Sequence, residues 1–179
     1  MMRTILLLCM TGMLTGLAAQ PKLPADVAGM LTACRAELLF PLDGGYKSRL
    51  VEDNPYFHYQ YELYSRQEKM DIRFLFQPDP SPDIIPHLES RRLMMNICSN
   101  DDKAAITARD LTTQELTELF NADWGKVYLF PPKAGFGNQA AFCQMLTLFK
   151  EGRGFIHIIY LFNKPSPLVE NRLYLVRFL

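Results

Sequence analysis

Between residues 56 and 76 apolar side chains recur at every second position, twice, on either side of a polar break. Phe57, Tyr59, Tyr61 and Leu63 alternate with His58, Gln60 and Glu62, and Met70, Ile72, Phe74 and Phe76 alternate with Asp71, Arg73 and Gln77. Successive side chains of a strand point to opposite faces, so two such runs around residues 65–69 predict an antiparallel hairpin with one buried face. Pro78, Pro80 and Pro82 end the second strand, because proline cannot donate to a ladder. A chain with this hairpin is committed to a sheet, and the rest must supply its partners.

A second hairpin is predicted by residues 140–149 and 155–162. Both are almost continuously apolar and rich in aromatic and β-branched residues, and they flank Lys150-Glu151-Gly152-Arg153-Gly154. Apolarity on both faces marks central strands, although a helix over residues 140–149 is the alternative. Shorter apolar runs at residues 38–42, before Asp43-Gly44-Gly45, and at residues 127–130, before Pro131-Pro132, read as further strands.

Helices are expected between them. Residues 25–35 carry Val27, Met30, Leu31 and Cys34 at helical spacing after Pro24. Residues 84–98 place Ile84, Leu88, Met95 and Cys98 on one face. Thr112 with Glu115 three residues later forms a capping box, and Leu111 with Leu116 a staple, starting a helix that runs to about Phe120. Ser166-Pro167 starts a last helix to about Val176, with the alternation of Leu173, Leu175 and Arg177 as the competing strand reading. Gly135-Phe136-Gly137-Asn138 reads as a flexible loop.

Two hairpins with interspersed helices give an α+β fold, a mainly antiparallel β-sheet with helices packed on both faces, an α/β/α sandwich. The order of elements over residues 38–179 resembles the Mog1/PsbP-like domains, small sandwiches that mostly serve as binding or assembly factors. The resemblance implies a binding or assembly role and transfers no site residue.

The N-terminus reads differently. Arg3, then an apolar run from Ile5 to Leu17, then Ala18-Ala19-Gln20 is the order of a secretory signal peptide, assigned to residues 1–19. The run is shorter than the roughly 20 apolar residues of a membrane span. A secreted or periplasmic location is therefore expected, with residues 20–179 as a single globular α+β domain and no integral membrane span after cleavage. The 160 residues that remain carry 18 basic and 19 acidic side chains. That balance offers no footprint for nucleic acid, which requires clustered Lys and Arg.

Catalytic spacings are missing. His58, His87 and His157 show no metal-binding interval, and Cys34, Cys98 and Cys143 form no C-x-x-C pair. Neither a metal nor a cofactor is expected, and any disulfide would join two of those three cysteines. The segment around Asp123, Trp124 and Gly125 follows a helix, precedes a strand and holds the only tryptophan, so these three are the candidate binding residues. The function that follows is an exported, non-catalytic binding or assembly protein whose partner is a protein or an envelope component. The alternative is a small exported hydrolase or thiol enzyme assembled from distant residues, such as Cys143 and His157 on neighbouring strands.

Overall fold

The computed structural model describes residues 23–78, 80 and 83–179. The signal-like segment of residues 1–19 lies outside them. Along the chain, α1 (Ala25–Ala33) leads into β1 (Ala36–Leu38), followed by β2 (Lys47–Arg49), β3 (Tyr61–Ser65) and β4 (Met70–Gln77). After α2 (Pro86–Ile97) come β5 (Thr107–Asp110), a π-helix (Glu115–Phe120) and β6 (Trp124–Phe130). Then α3 (Ala134–Gly137), β7 (Phe142–Lys150), β8 (Gly154–Phe162), α4 (Pro167–Asn171) and β9 (Val176–Phe178) complete the described fold. None of the described helices is long and apolar enough to cross a membrane.

Seven strands form one antiparallel sheet in the order β2-β3-β4-β8-β7-β6-β5, and β1 pairs separately with β9. The fold is thus α+β with an antiparallel sheet. Both predicted hairpins are present. In the second, every residue of β8 is buried, between β4 on one side and β7 on the other. Gly154 is required where this hairpin turns, because its φ is +98° and a Cβ there would stand 2.0 Å from the Gln77 carbonyl oxygen.

Alternation along β8 divides the core in two. Ile156, Ile158, Tyr160 and Phe162 join a cluster with Val27 and Leu31 of α1, Phe120 of the π-helix and Val169 of α4. Ile159 and Leu161 join a second cluster with Leu93, Met94 and Ile97 of α2 and Phe136 of α3. Each large apolar side chain removed from water contributes roughly 1.5–3 kcal/mol, so the doubly buried central strands carry much of the stability.

Several expectations need correction. The first hairpin is buried on both faces: Glu62 and Arg73, expected to face water, are 2% exposed and face each other across β3 and β4. Its first strand begins only at Tyr61, although Phe57 and Tyr59 are buried beside it. Of the face expected for residues 84–98, Cys98 is buried, but Leu88 and Met95 are each about half exposed, and α2 buries Ser90, Leu93, Met94 and Ile97 instead. The sequence carries two apolar stripes on this helix. Arg91 and Arg92 flank the outer one and would have been dragged into the core with it, at a large desolvation cost. Of the apolar run at residues 38–42, Leu38 pairs in β1 and Leu39 donates its N–H to the Leu175 carbonyl, while Leu42 is exposed. Residues 134–137 form a helical turn with Phe136 wholly buried instead of a flexible loop. The last helix stops at Asn171, and the alternating residues beyond it lead into β9.

Candidate functional site

β5 is an edge strand of four exposed residues, and its single neighbour in the sheet is β6. Register places Thr107 opposite Leu129, Leu129 opposite Gln144 and Gln144 opposite Tyr160, a transverse row across β5, β6, β7 and β8 on one face. At its inner end Tyr160 is buried and donates its hydroxyl to the Arg172 carbonyl at 2.8 Å. At its outer end the row is open. A cavity of about 220 Å³ lies over Thr107, Arg109, Val127, Leu129 and Gln144, with Glu170 of α4 at its side. A larger one of about 340 Å³ shares Thr107 and Leu129 with it and extends between residues 101–105 and Pro131, Ala141 and Phe142. The shared lining makes one groove of two chambers.

The walls are held locally. Arg109 donates from Nη1 and Nη2 to the two carboxylate oxygens of Glu115, each at 2.9 Å. The same carboxylate accepts from the Thr112 backbone N–H at 2.8 Å while the Thr112 hydroxyl oxygen accepts from the Glu115 N–H at 3.1 Å, which is the predicted capping box. The Arg109 guanidinium above all, with the Thr112 contacts, holds the Glu115 carboxyl below its ordinary range, and Glu115 in turn raises Arg109. The residue that caps the helix thus also anchors the groove's arginine.

Gln144 differs from the rest of the lining. It is only 6% exposed, it stands in an otherwise apolar stretch of β7, and its Nε2 has no hydrogen-bond partner. An unpaired buried amide costs roughly 1–3 kcal/mol. Gln144→Leu is therefore expected to stabilise the unliganded protein by about 1 kcal/mol. Urea titration of both forms checks this, and a destabilised variant would show that the amide is satisfied in solution.

The sequence-predicted residues sit further along β6. Asp123 closes the β7–β8 turn: its Oδ2 accepts from the Glu151 N–H at 2.8 Å and its own N–H donates to the Phe149 carbonyl at 2.9 Å. Gly125 is buried, and a Cβ there would meet the Leu111 Cδ1 at 2.5 Å and the Thr147 carbonyl oxygen at 3.2 Å. Both residues therefore have local structural work. Trp124 is half-buried at the first position of β6, opposite Phe149. Val127 and Leu129, two and four residues beyond Gly125, are what reach the groove. Sequence reasoning missed Thr107, Arg109 and Gln144. The one available signal was an amide inside the apolar run of residues 142–149.

Cys143 and His157 are on neighbouring strands and both are fully buried, but they are not brought together. Cys143 pairs with Leu161, and His157 with Thr147. Four residues of strand separate thiol and imidazole positions, roughly 13 Å at 3.3 Å per residue. Burial pushes the Cys143 thiol well above its usual range, against thiolate formation. His157 instead lies within a hydrogen-bonded chain in which Ser90 Oγ donates to Thr147 Oγ1 at 2.9 Å, and Thr147 Oγ1 stands 3.0 Å from Nδ1. The ring's Nε2 is 3.1 Å from Gln77 Oε1. A carboxamide oxygen can only accept, so Nε2 carries the proton and Nδ1 accepts from Thr147. Cys98 and Cys143 are free buried thiols, and Cys34 is buried as well. Among the described residues no three His, Cys, Asp or Glu side chains group as metal ligands.

Comparison with protein-family models, curated proteins and solved structures finds no match for this chain.

Proposed function

We propose that this chain is an exported, non-catalytic binding protein, and that the groove between β5 and α4 receives its partner, a protein or an envelope component. The observation that carries the reading is the open end of the Thr107–Leu129–Gln144 row: a concave, mainly apolar lining that includes one buried glutamine, whose Nε2 has no hydrogen-bond partner. Binding sites are commonly concave and apolar with a few polar groups that orient the ligand. The two apolar clusters divided by β8 support the sandwich architecture, with α1, the π-helix and α4 contributing to one and α2 and α3 to the other. That arrangement is consistent with the Mog1/PsbP-like resemblance and its binding or assembly role. The thiol-enzyme alternative loses support because Cys143 and His157 are offset and sealed from solvent.

Export predicts a mature N-terminus between Ala19 and Pro21, read by mass spectrometry of the protein recovered from the secreted or periplasmic fraction of an exporting host. Recovery of a soluble cytosolic form that still begins at Met1 would overturn it. For the groove, the probe is the uncharged apolar dye N-phenyl-1-naphthylamine. Wild type is expected to bind it saturably, and Ala105→Trp, which fills the larger chamber, to abolish binding without altering the circular dichroism spectrum. Unchanged dye binding in a folded Ala105→Trp protein would remove the groove as the site.

A further inference from the structure

Resting on the groove reading, we infer that the partner is a protein with an extended segment, which pairs with β5 as a further strand of the sheet and lays alternate side chains over the groove. The main chain of β5 calls for it. The Leu111 N–H donates to the Gly125 carbonyl at 3.0 Å, in register with the pairing of β5 and β6. Antiparallel bonds alternate along a ladder, so Thr107 and Arg109 turn their main-chain groups to β6 while Ala108 and Asp110 turn theirs to the open edge. All four residues are exposed, and among the described residues no strand pairs with that edge. An extended polypeptide supplies the matching donors and acceptors at strand spacing, and a lipid chain does not.

Sheet edges are usually blunted by proline, lysine or other charged side chains. The run Thr107-Ala108-Arg109-Asp110 has neither proline nor lysine, and its two charges are engaged within the chain, Arg109 by Glu115 and Asp110 by Lys126. Ala108 is small and borders the smaller chamber itself, so a neighbouring backbone can approach to the usual strand spacing of about 4.8 Å. Side chains of the added strand that share the face of Thr107 and Arg109 then continue the transverse row outward. The larger chamber selects no net charge, because it mixes Pro131 and Phe142 with Asp101 and Lys103, one charge of each sign. Glu170, at the side of the smaller chamber, disfavours acidic side chains. The segment that fits is therefore uncharged at every second position.

The test is selection of peptides of about twelve residues from a random phage-displayed library on the purified protein, with the enriched sequences made synthetically and titrated by fluorescence polarisation. They are expected to bind wild type saturably. N-methylation of every second main-chain amide should weaken them about tenfold in one register, the factor that one hydrogen bond supplies, and much less in the other, because only alternate N–H groups face β5. Ala108→Pro removes an outward N–H of β5 and none of its bonds to β6, so it should weaken the same peptides about tenfold with an unchanged circular dichroism spectrum. Should that variant not fold, hydrogen exchange of wild type decides: the Ala108 and Asp110 amides are expected to exchange fast in the free protein and about tenfold more slowly with peptide bound. Equal effects of the two N-methyl registers, or no protection of those amides, would overturn the added strand. A wild-type dimer in sedimentation that Ala108→Pro converts to monomer would overturn it in favour of a second copy of this chain. Failure to enrich any peptide, with N-phenyl-1-naphthylamine bound by wild type and excluded by Ala105→Trp, would overturn the strand partner and leave the groove reading standing. Dye binding that persists in a folded Ala105→Trp protein would instead overturn the groove reading itself.

Discussion

Arg172→Ala is expected to cost about 3–5 kcal/mol, the penalty for removing one partner of a buried ion pair and leaving the other charge in place. Arg172 follows α4 and is 8% exposed at its side chain, and its partner Glu68, in the β3–β4 turn, is 5% exposed. The guanidinium grips the carboxylate with two bonds, Nη2 to Oε1 at 2.5 Å and Nε to Oε2 at 3.1 Å. Tyr46 donates its hydroxyl to the same carboxylate at 2.6 Å and lies beneath the guanidinium, 5.4 Å from ring centre to Cζ. Burial by itself would raise the Glu68 carboxyl, yet the bonds from Arg172 and Tyr46 outweigh it and hold Glu68 below its ordinary range. Remove Arg172 and that carboxylate keeps only the tyrosine.

Three segments distant in sequence meet at this pair: the 43–46 turn, the β3–β4 hairpin and the end of α4. The contact to Asp43, at 2.7 Å, adds little because Asp43 is 78% exposed. A double-mutant cycle with Glu68→Ala should show strong non-additivity, since the second deletion removes the stranded charge. Urea midpoints at pH 7 provide the measurement. A loss below about 1 kcal/mol for Arg172→Ala would mean that the pair behaves as an exposed one.

The elements that were legible in the sequence are those whose signal is local. The hairpin of β7 and β8 announced itself through two apolar runs and the Gly152-Arg153-Gly154 turn, and the capping box of Thr112 and Glu115 formed as written, down to its reciprocal bonds. The helix it starts adopts π rather than α hydrogen bonding over Glu115–Phe120, which no residue pattern there announces. What failed required knowledge of neighbours. Period-two alternation places Glu62 and Arg73 on the wet face, but Phe136 and Tyr59 meet them there: Arg73 donates to the Phe136 carbonyl at 2.7 Å and lies over its ring, and Tyr59 donates to Glu62 at 2.8 Å. Polar residues were buried because a polar network received them. β2 and β5 were invisible because Lys47-Ser48-Arg49 and Thr107-Ala108-Arg109-Asp110 lack an apolar face, as edge strands often do.

The groove draws on β5, β6, β7, α4 and residues 101–105, and only strand register brings Thr107, Leu129 and Gln144 into one row. The Asp123-Trp124-Gly125 segment stands out in the sequence for its place between a helix and a strand and for the only tryptophan, yet Asp123 and Gly125 are explained by a turn and by the close approach of Leu111. The apolar run at residues 127–130 locates the strand, β6, and not the residues on it that face the cavity.

Acid should weaken this protein well before its carboxylates titrate. His157 is wholly enclosed, and burial pushes its pKa down to about 3, with Glu89 of α2 opposing that shift and Arg92 of α2 reinforcing it. In the unfolded chain the imidazole titrates near 6.5. Between those values the unfolded state binds a proton that the native state refuses, so stability falls as pH drops, by about 1.4 kcal/mol per unit. The contribution is complete above pH 6.5 and is lost progressively toward pH 3, about 4–5 kcal/mol in all, a large share of the 5–15 kcal/mol typical of a domain. The salt-bridged carboxyls Glu68, Glu89 and Glu115, held below their ordinary 4.5, add losses of the same sign only once pH approaches that value. Between pH 6.5 and 5 the histidine is therefore the group that lowers stability, while Asp71, whose carboxyl is raised chiefly by burial, acts with the opposite sign. Urea midpoints at pH 7, 6 and 5 should fall steadily in wild type. In His157→Gln they should start lower, because the Thr147 and Phe155 contacts are disturbed, and then stay level across the same window. Equal slopes in the two proteins would show that His157 accepts a proton in the native state, with Thr147 turning to accept its hydrogen bond.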